Sequence, residues 1–185
     1  MRPVIHKKEQ LVEHRGANIM LCIDISNSMA TTDLKPNRLE IAKTSAIDFI
    51  NKQTYSKIGL VVFASEAVTL SPPTHDHQTI INKIKKIKIG TLGDGTAIGL
   101  GLATSMLRLK NLSGNTNIII LITDGDENCS EVSPIDAALV AEKLKIKIYT
   151  IGIGSSYDKF AFNNSDNSTN QNKNININTN TNTNI

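Results

Sequence analysis

Three short polar segments punctuate the apolar runs of this chain, and all of them offer oxygen. Asp24-Ile25-Ser26-Asn27-Ser28 leaves one apolar run, Thr96 follows Gly93-Asp94-Gly95, and Asp124 closes another apolar run just before Gly125. Side chains alternate along extended backbone, so Asp24 and Ser26 point the same way while Ile25 turns into the core. Together these segments hold two carboxylates and three hydroxyls, with no His or Cys. An all-oxygen set suits a hard divalent cation, and Mg²⁺ in particular takes octahedral oxygen coordination and keeps several waters. With neutral hydroxyls as the direct ligands, such an ion stays electrophilic and favours an acidic group from outside as a further ligand.

Placing those segments together is the task of the elements around them. Residues 18–25, 57–64 and 117–123 are apolar at nearly every position, as strands buried on both faces must be. A short strand over 67–70 ends at Pro72-Pro73, and a last strand covers 145–152. Between them lie helical patterns. Asn37 is an N-cap with Glu40 as its capping-box partner, followed by Leu39, Ala42, Ala46, Phe49 and Ile50 on one face. Ile80, Ile81, Ile84 and Ile87 mark a second helix. A third runs from about Thr96 to Leu109 and carries small residues, Gly99 and Gly101 among them, that permit close packing on a sheet. Ser133 caps a fourth, with Pro134 at its first position. Alternating strands and helices predict an α/β, doubly wound, mainly parallel sheet with helices on both faces. In such a sheet ligands bind at the carboxyl ends of the strands, near the switch point, and that is where Asp24 and Asp124 fall.

Composition sets the outer limits. The 185 residues suit one domain, and the net charge of +3 is too modest for a nucleic-acid footprint. Lys83, Lys85, Lys86 and Lys88 alternate with isoleucines and read as the wet face of the second helix. No run approaches the length of a membrane span, and residues 1–16 are a charged lead-in without a signal-type apolar segment. The expectation is a chain with no membrane segment, cytoplasmic as the sequence stands. Residues 163–185 are dominated by asparagine and cannot bury enough apolar surface to offset ordering, so they read as a disordered tail. The two cysteines, Cys22 in a strand and Cys129 in a loop, read as free thiols.

Asp24-x-Ser26-x-Ser28, the threonine of Gly95-Thr96 and Thr123-Asp124-Gly125 together resemble the metal-ion-dependent adhesion site (MIDAS) of the von Willebrand factor A (VWA) family. The likeness extends to bacterial aerotolerance-related proteins of the BatA type. It is carried by residues 33–40 (Asp33-Leu-Lys-Pro-Asn-Arg-Leu-Glu40), 57–64, 95–103 and 149–152, and it spans roughly 16–154. The resemblance implies a VWA domain over 17–162 with Mg²⁺ as cofactor, Mn²⁺ and Ca²⁺ being alternatives. Ser26 and Ser28 would ligate it directly. Thr96 would do so directly or through water, and Asp24 and Asp124 would act mostly through water and by orienting the serines. A carboxylate from a partner protein would complete the shell, with Asn27, Asp94, Gly95, Gly125 and Asp126 forming the rim that meets the partner. BatA-type relatives are associated with MoxR-type ATPases, which makes such an assembly the implied setting. They are also membrane-anchored, and a full-length form of that type would be too. Relative to the family pattern, the final strand and helix are missing after Gly154, and the asparagine-rich tail stands in their place.

Other readings compete. Asp126, Glu127 and Asp94 read first as solvated loop residues. His75 and His77 flank Asp76 in a metal-like spacing, yet with no third ligand nearby they read as a polar loop entering the second helix. An enzyme is the alternative class, since Mg²⁺ sites on doubly wound sheets also serve phosphoryl transfer. Enzymes of the haloacid-dehalogenase kind need a second carboxylate two positions after the nucleophilic aspartate, and here that position is Ser26; no P-loop pattern is present either. A truncated, non-functional remnant is the remaining alternative. The binding module is the expectation, and not an enzyme.

Overall fold

The computed structural model describes residues 16–113, 115–125, 128–129, 131–154 and 177–178. Most of the lead-in, Asp126, Glu127 and nearly all of the asparagine-rich tail therefore lie outside the described residues. In chain order the elements are β1 (Asn18–Asp24), α1 (Arg38–Asn51), β2 (Lys57–Phe63), β3 (Ala67–Thr74), α2 (His77–Lys86), α3 (Ile98–Leu109), β4 (Asn117–Thr123), α4 (Pro134–Lys143), β5 (Ile146–Gly152) and β6 (Ile177–Asn178). The sheet order is β3-β2-β1-β4-β5-β6. β1 pairs in parallel with both β2 and β4, and β4 in parallel with β5, whereas β3 and the two-residue β6 are antiparallel at the edges. The predicted mainly parallel, doubly wound sheet is the observed one. Its chain reverses direction of travel at β1, whose neighbours β2 and β4 come from opposite halves of the sequence.

Period-two alternation sorts the strand side chains between two cores. Ile19, Leu21, Ile23 and Ile25 pack with Leu39, Ala42, Ala46 and Ile50 of α1 and with Ile80, Ile81 and Ile84 of α2. Met20 and Cys22 face the other way, with Leu102, Met106 and Leu109 of α3 and Ala137 and Ala141 of α4. Each fully buried Leu or Ile contributes about 1.5–3 kcal/mol, so both helix layers are firmly held. Gly101 brings α3 against the sheet: a Cβ there would lie 2.9 Å from the Phe63 ring and 3.0 Å from Cys22 Sγ.

Some local expectations need correction. Pro72 and Pro73 do not end the third strand but lie inside β3. Thr74 pairs with Ile58 and Ser71 with Leu60, so β3 spends three steps against two of β2. That bulge is on an edge strand, where a proline without an N–H costs no ladder bond. α3 begins at Ile98, not Thr96, which leaves Thr96 in the preceding loop. The Asn37 cap is present, its Oδ1 accepting from Glu40 N at 2.9 Å. The reciprocal half of the capping box is not, because the Glu40 carboxylate pairs with Lys43 Nζ at 2.7 Å. Asp76, between the two histidines, caps α2 by accepting from Thr79 N at 3.0 Å. Its neighbour His77 lies 2.9 Å through Nε2 from the Ser56 carbonyl, so the polar-loop reading of that segment stands.

Candidate metal centre

Asp24 ends β1 and is fully buried. Its two oxygens face different donors. Oδ1 accepts the Ser26 N–H at 2.9 Å, and Oδ2 accepts the Thr123 hydroxyl at 2.6 Å. The Thr123 Oγ1 in turn accepts the Gly125 N–H at 3.1 Å, so one carboxylate organises the turns after both β1 and β4. Burial raises the pKa of Asp24. Hydrogen bonds from Ser26 and Thr123 pull it back, and the nearby charge of Asp124 adds to the rise.

After Asp24 the chain enters a 3₁₀ turn over Asn27–Ala30, closed by Met29 N to Ser26 O at 3.1 Å and Thr31 N to Ser28 O at 3.0 Å. Met29 is fully buried and pins the turn to the core. The turn brings the Ser26 and Ser28 hydroxyl oxygens to 3.0 Å of one another. Thr96 is 2% exposed. Its N–H donates to Asn128 Oδ1 at 2.9 Å and its carbonyl accepts from Asn128 N at 3.3 Å. That reciprocal pair ties the loop ahead of α3 to the segment beyond Asp124. Gly95, at φ +118°, makes the preceding bend, and a Cβ there would lie 3.0 Å from Cys129 Cβ.

The Asp124 side chain is wholly buried, and Arg38 at the start of α1 donates through Nη1 to its Oδ2 at 2.9 Å. Its other oxygen, Oδ1, is buried with no hydrogen-bond partner among the described groups. A buried carboxylate oxygen left unpaired is costly, and needs an account such as an ion. Among the described residues no three His, Cys, Asp or Glu side chains gather at metal-holding distances. A cation here would thus rest on hydroxyls around two carboxylates. The orphaned oxygen, the paired serine hydroxyls and the buried threonine fit that description.

On the rim, the Asn27 side chain donates to the Asp94 carboxylate and so links the turn after β1 to the loop before α3. Gly125, at φ +92°, makes the turn after Asp124. The structure therefore brings Asp24, Ser26, Ser28 and Asp124 to the ends of neighbouring strands, with Thr96 bound to the segment after Asp124. Three contributors were not singled out for a site role: Thr123, Asn128 and Arg38. Thr123 directly precedes Asp124, and Arg38 lies in the segment that carries the likeness, so both could have been flagged. Nothing local marks Asn128.

A family model of the von Willebrand factor type A domain matches residues 19–127, more than half of the chain. An uncharacterized protein of Borreliella burgdorferi is 37% identical over 155 residues, covering 83% of this chain and 46% of that protein. The chain spans about half the length of the curated relatives it matches. Among solved structures, an aerotolerance-related membrane protein from Bacteroides fragilis aligns with a TM-score of 0.73 and 28% identity, over 83% of this chain and 77% of that one. Proximal thread matrix protein 1 from the mussel byssus, in a form with zinc in its MIDAS motif, aligns at a TM-score of 0.66 and 26% identity, over 76% of this chain and 37% of that one. Family model, sequence identity and structural likeness agree, and the chain belongs to the von Willebrand factor type A domain family, in the company of its aerotolerance-related bacterial members.

Proposed function

We propose that this domain holds a divalent cation, Mg²⁺ foremost, through Ser26, Ser28, Thr96 and Asp124, and uses it to capture a carboxylate of a partner protein. The observation that carries the reading is Asp124 Oδ1, buried and without a hydrogen-bond partner among the described groups, at the end of the strand beside Asp24. A cation bound there supplies a Lewis-acidic position that the protein's few charges leave unsatisfied, open to an acidic side chain from outside. Asp24 is the organiser rather than a direct ligand in this reading, because its oxygens already hold the Ser26 amide and the Thr123 hydroxyl. Ser26 and Ser28 present their hydroxyls side by side, and Asn128 fixes the backbone of Thr96.

Asn27, Asp94, Gly95, Gly125 and Asp126 form the rim that meets the partner, of which Asp126 lies outside the described residues. Likeness to the aerotolerance-related membrane protein supports a membrane-anchored full-length form. A MoxR-type ATPase assembly is proposed as the setting on the resemblance of the motif segments alone. No helix among the described residues is long and apolar enough to cross a membrane. Zinc in the MIDAS motif of the mussel protein supports a metal at this position of the fold, without choosing Mg²⁺.

Thermal unfolding with and without MgCl₂ tests the reading, on the parent chain and a Ser26→Ala, Ser28→Ala variant. A cation that binds only the folded state adds about 2.7 kcal/mol at a hundredfold excess over its dissociation constant. The parent Tm should rise by several degrees and the variant's should not. Cooperative melts of both with no response to Mg²⁺, Mn²⁺ or Ca²⁺ would remove the metal from the account.

A further inference from the structure

Arg38 has no place in the oxygen set described above, yet it bonds directly to one of its carboxylates. Its Nε and Nη2 donate to the two carboxylate oxygens of Asp33, each at 3.0 Å, a bidentate fork that fixes the guanidinium plane. The remaining arm, Nη1, reaches Asp124 Oδ2 at 2.9 Å. Asp124 is 0% exposed by its side chain and Arg38 only 20%, so this pair is screened little by solvent. Asp33 and Arg38 flank the loop that follows the serine turn, and Arg38 N donates to the Thr31 carbonyl at 3.0 Å. The turn that presents Ser28 and the carboxylate at the end of β4 are thus bridged by one side chain.

Without Arg38, Asp24 and Asp124 would be two buried carboxylates at the ends of the neighbouring strands β1 and β4 with no cation bonded to either among the described residues, and like charges so placed repel. A bound cation relieves that repulsion. So does a guanidinium, and this one is built in.

We infer that Arg38, held by Asp33, is a resident counter-ion for Asp124. It keeps the empty centre folded and aligned, leaves Oδ1 as the oxygen for the cation, and sets the cation affinity lower than the same oxygens would otherwise give. The inference rests on the metal reading above for its second half, while its first half concerns the metal-free protein alone. A weakened hold on the cation has a functional consequence. The ion is then less neutralised by its own protein, and occupancy depends more on the partner carboxylate that completes its shell. Arg38 is in this sense a positioning and charge-setting residue, not a ligand.

The test uses the full 185-residue chain, MnCl₂ as the probe and three variants: Arg38→Gln, Arg38→Lys, and Arg38→Gln combined with Asp124→Asn. Removing one positive charge a few ångströms from a divalent ion strengthens binding by about tenfold even at water-like dielectric. Electron paramagnetic resonance titration should therefore show Arg38→Gln binding Mn²⁺ about tenfold tighter than the parent, with Arg38→Lys near the parent because the charge remains. In EDTA, Arg38→Gln should melt several degrees below the parent, and adding Asp124→Asn should recover most of that loss by removing the charge left unpaired.

Equal or weaker Mn²⁺ binding by Arg38→Gln, beside a parent that binds, overturns the charge-setting role. Failure of Asp124→Asn to recover the metal-free melt overturns the counter-ion role. If the parent and all variants ignore Mn²⁺ while the recovery occurs, the metal reading fails and the counter-ion stands.

Discussion

Replacing Thr123 by Val isolates the buried hydrogen bond on which the centre is built. The side chains are close in shape, so no cavity is opened; what disappears is a hydroxyl. It donates to Asp24 Oδ2 at 2.6 Å and accepts from Gly125 N at 3.1 Å. Asp24 is fully buried and Thr123 3% exposed, so water does not readily replace either bond. A hydrogen bond to a charged group is worth about 1.5–3 kcal/mol, and a buried acceptor left short of a donor costs toward the upper end. The expected loss is about 3 kcal/mol. In a domain of this size 1 kcal/mol moves Tm by about 2–4 °C, which predicts a fall of roughly 6–12 °C. The assay is thermal unfolding followed by circular dichroism in EDTA, so that no cation contributes, backed by urea unfolding at 25 °C. Thr123→Ser is the control, since it keeps the hydroxyl and gives up only a methyl group. A Thr123→Val protein within about 1 kcal/mol of the parent would refute the reasoning, as would a Thr123→Ser protein that loses just as much.

The remaining predictions concern reactivity and packing. Burial pushes the Cys22 thiol up to about 12, whereas Cys129 is exposed. Ellman's reagent at pH 8 should label one thiol in the native protein and both in urea; two fast-reacting native thiols would contradict the buried assignment. Because the folded pKa of Cys22 is the raised one, its contribution to stability is intact below the unfolded value and drains away as pH climbs toward 12. The unfolded state then holds fewer protons, and the advantage of the parent over Cys22→Ala should shrink by about 1.4 kcal/mol per pH unit above pH 9. Gly99 lies where α3 meets the segment entering α4, and a Cβ there would come 1.8 Å from the Val132 carbonyl oxygen. Backbone cannot swing away as a side chain can, so Gly99→Ala should cost at least the 1–3 kcal/mol typical of overpacking, read as a lowered urea midpoint. A midpoint equal to the parent's would mean that α3 and α4 are not in contact there.

Much of the fold was legible because its signals are local. Unbroken apolar runs such as Ile118–Ile122 announce strands covered on both faces, and Asn37 and Ser133 announce helix starts through bonds made within three residues. The oxygen donors were legible for the same reason, since Asp24, Ser26 and Ser28 sit within one turn and alternation fixes which way they face. Errors arose where distant groups overruled local habit. Prolines end most strands, but β3 is an edge with a bulge that tolerates them. Glu40 is a good capping-box residue, but Lys43 claims its carboxylate.

What lay beyond the sequence is the set of partners that complete the centre. Thr123 meets Asp24 across 99 positions of chain, Arg38 meets Asp124 across 86, and Asn128 holds Thr96 across 32. A residue type states which bonds a side chain can make, while only the packed sheet decides which group lies within 3 Å of it. Sequence alone therefore determined that this is a doubly wound domain with an oxygen-rich centre at its strand ends. Tertiary structure decided that Asp24 holds the Ser26 amide and the Thr123 hydroxyl, that one oxygen of Asp124 has no partner among the described groups, and that an arginine pairs with the other. Hydrogen bonds and ion pairs act over a few ångströms of space, and chain separation carries no information about that distance until the strands have been placed side by side.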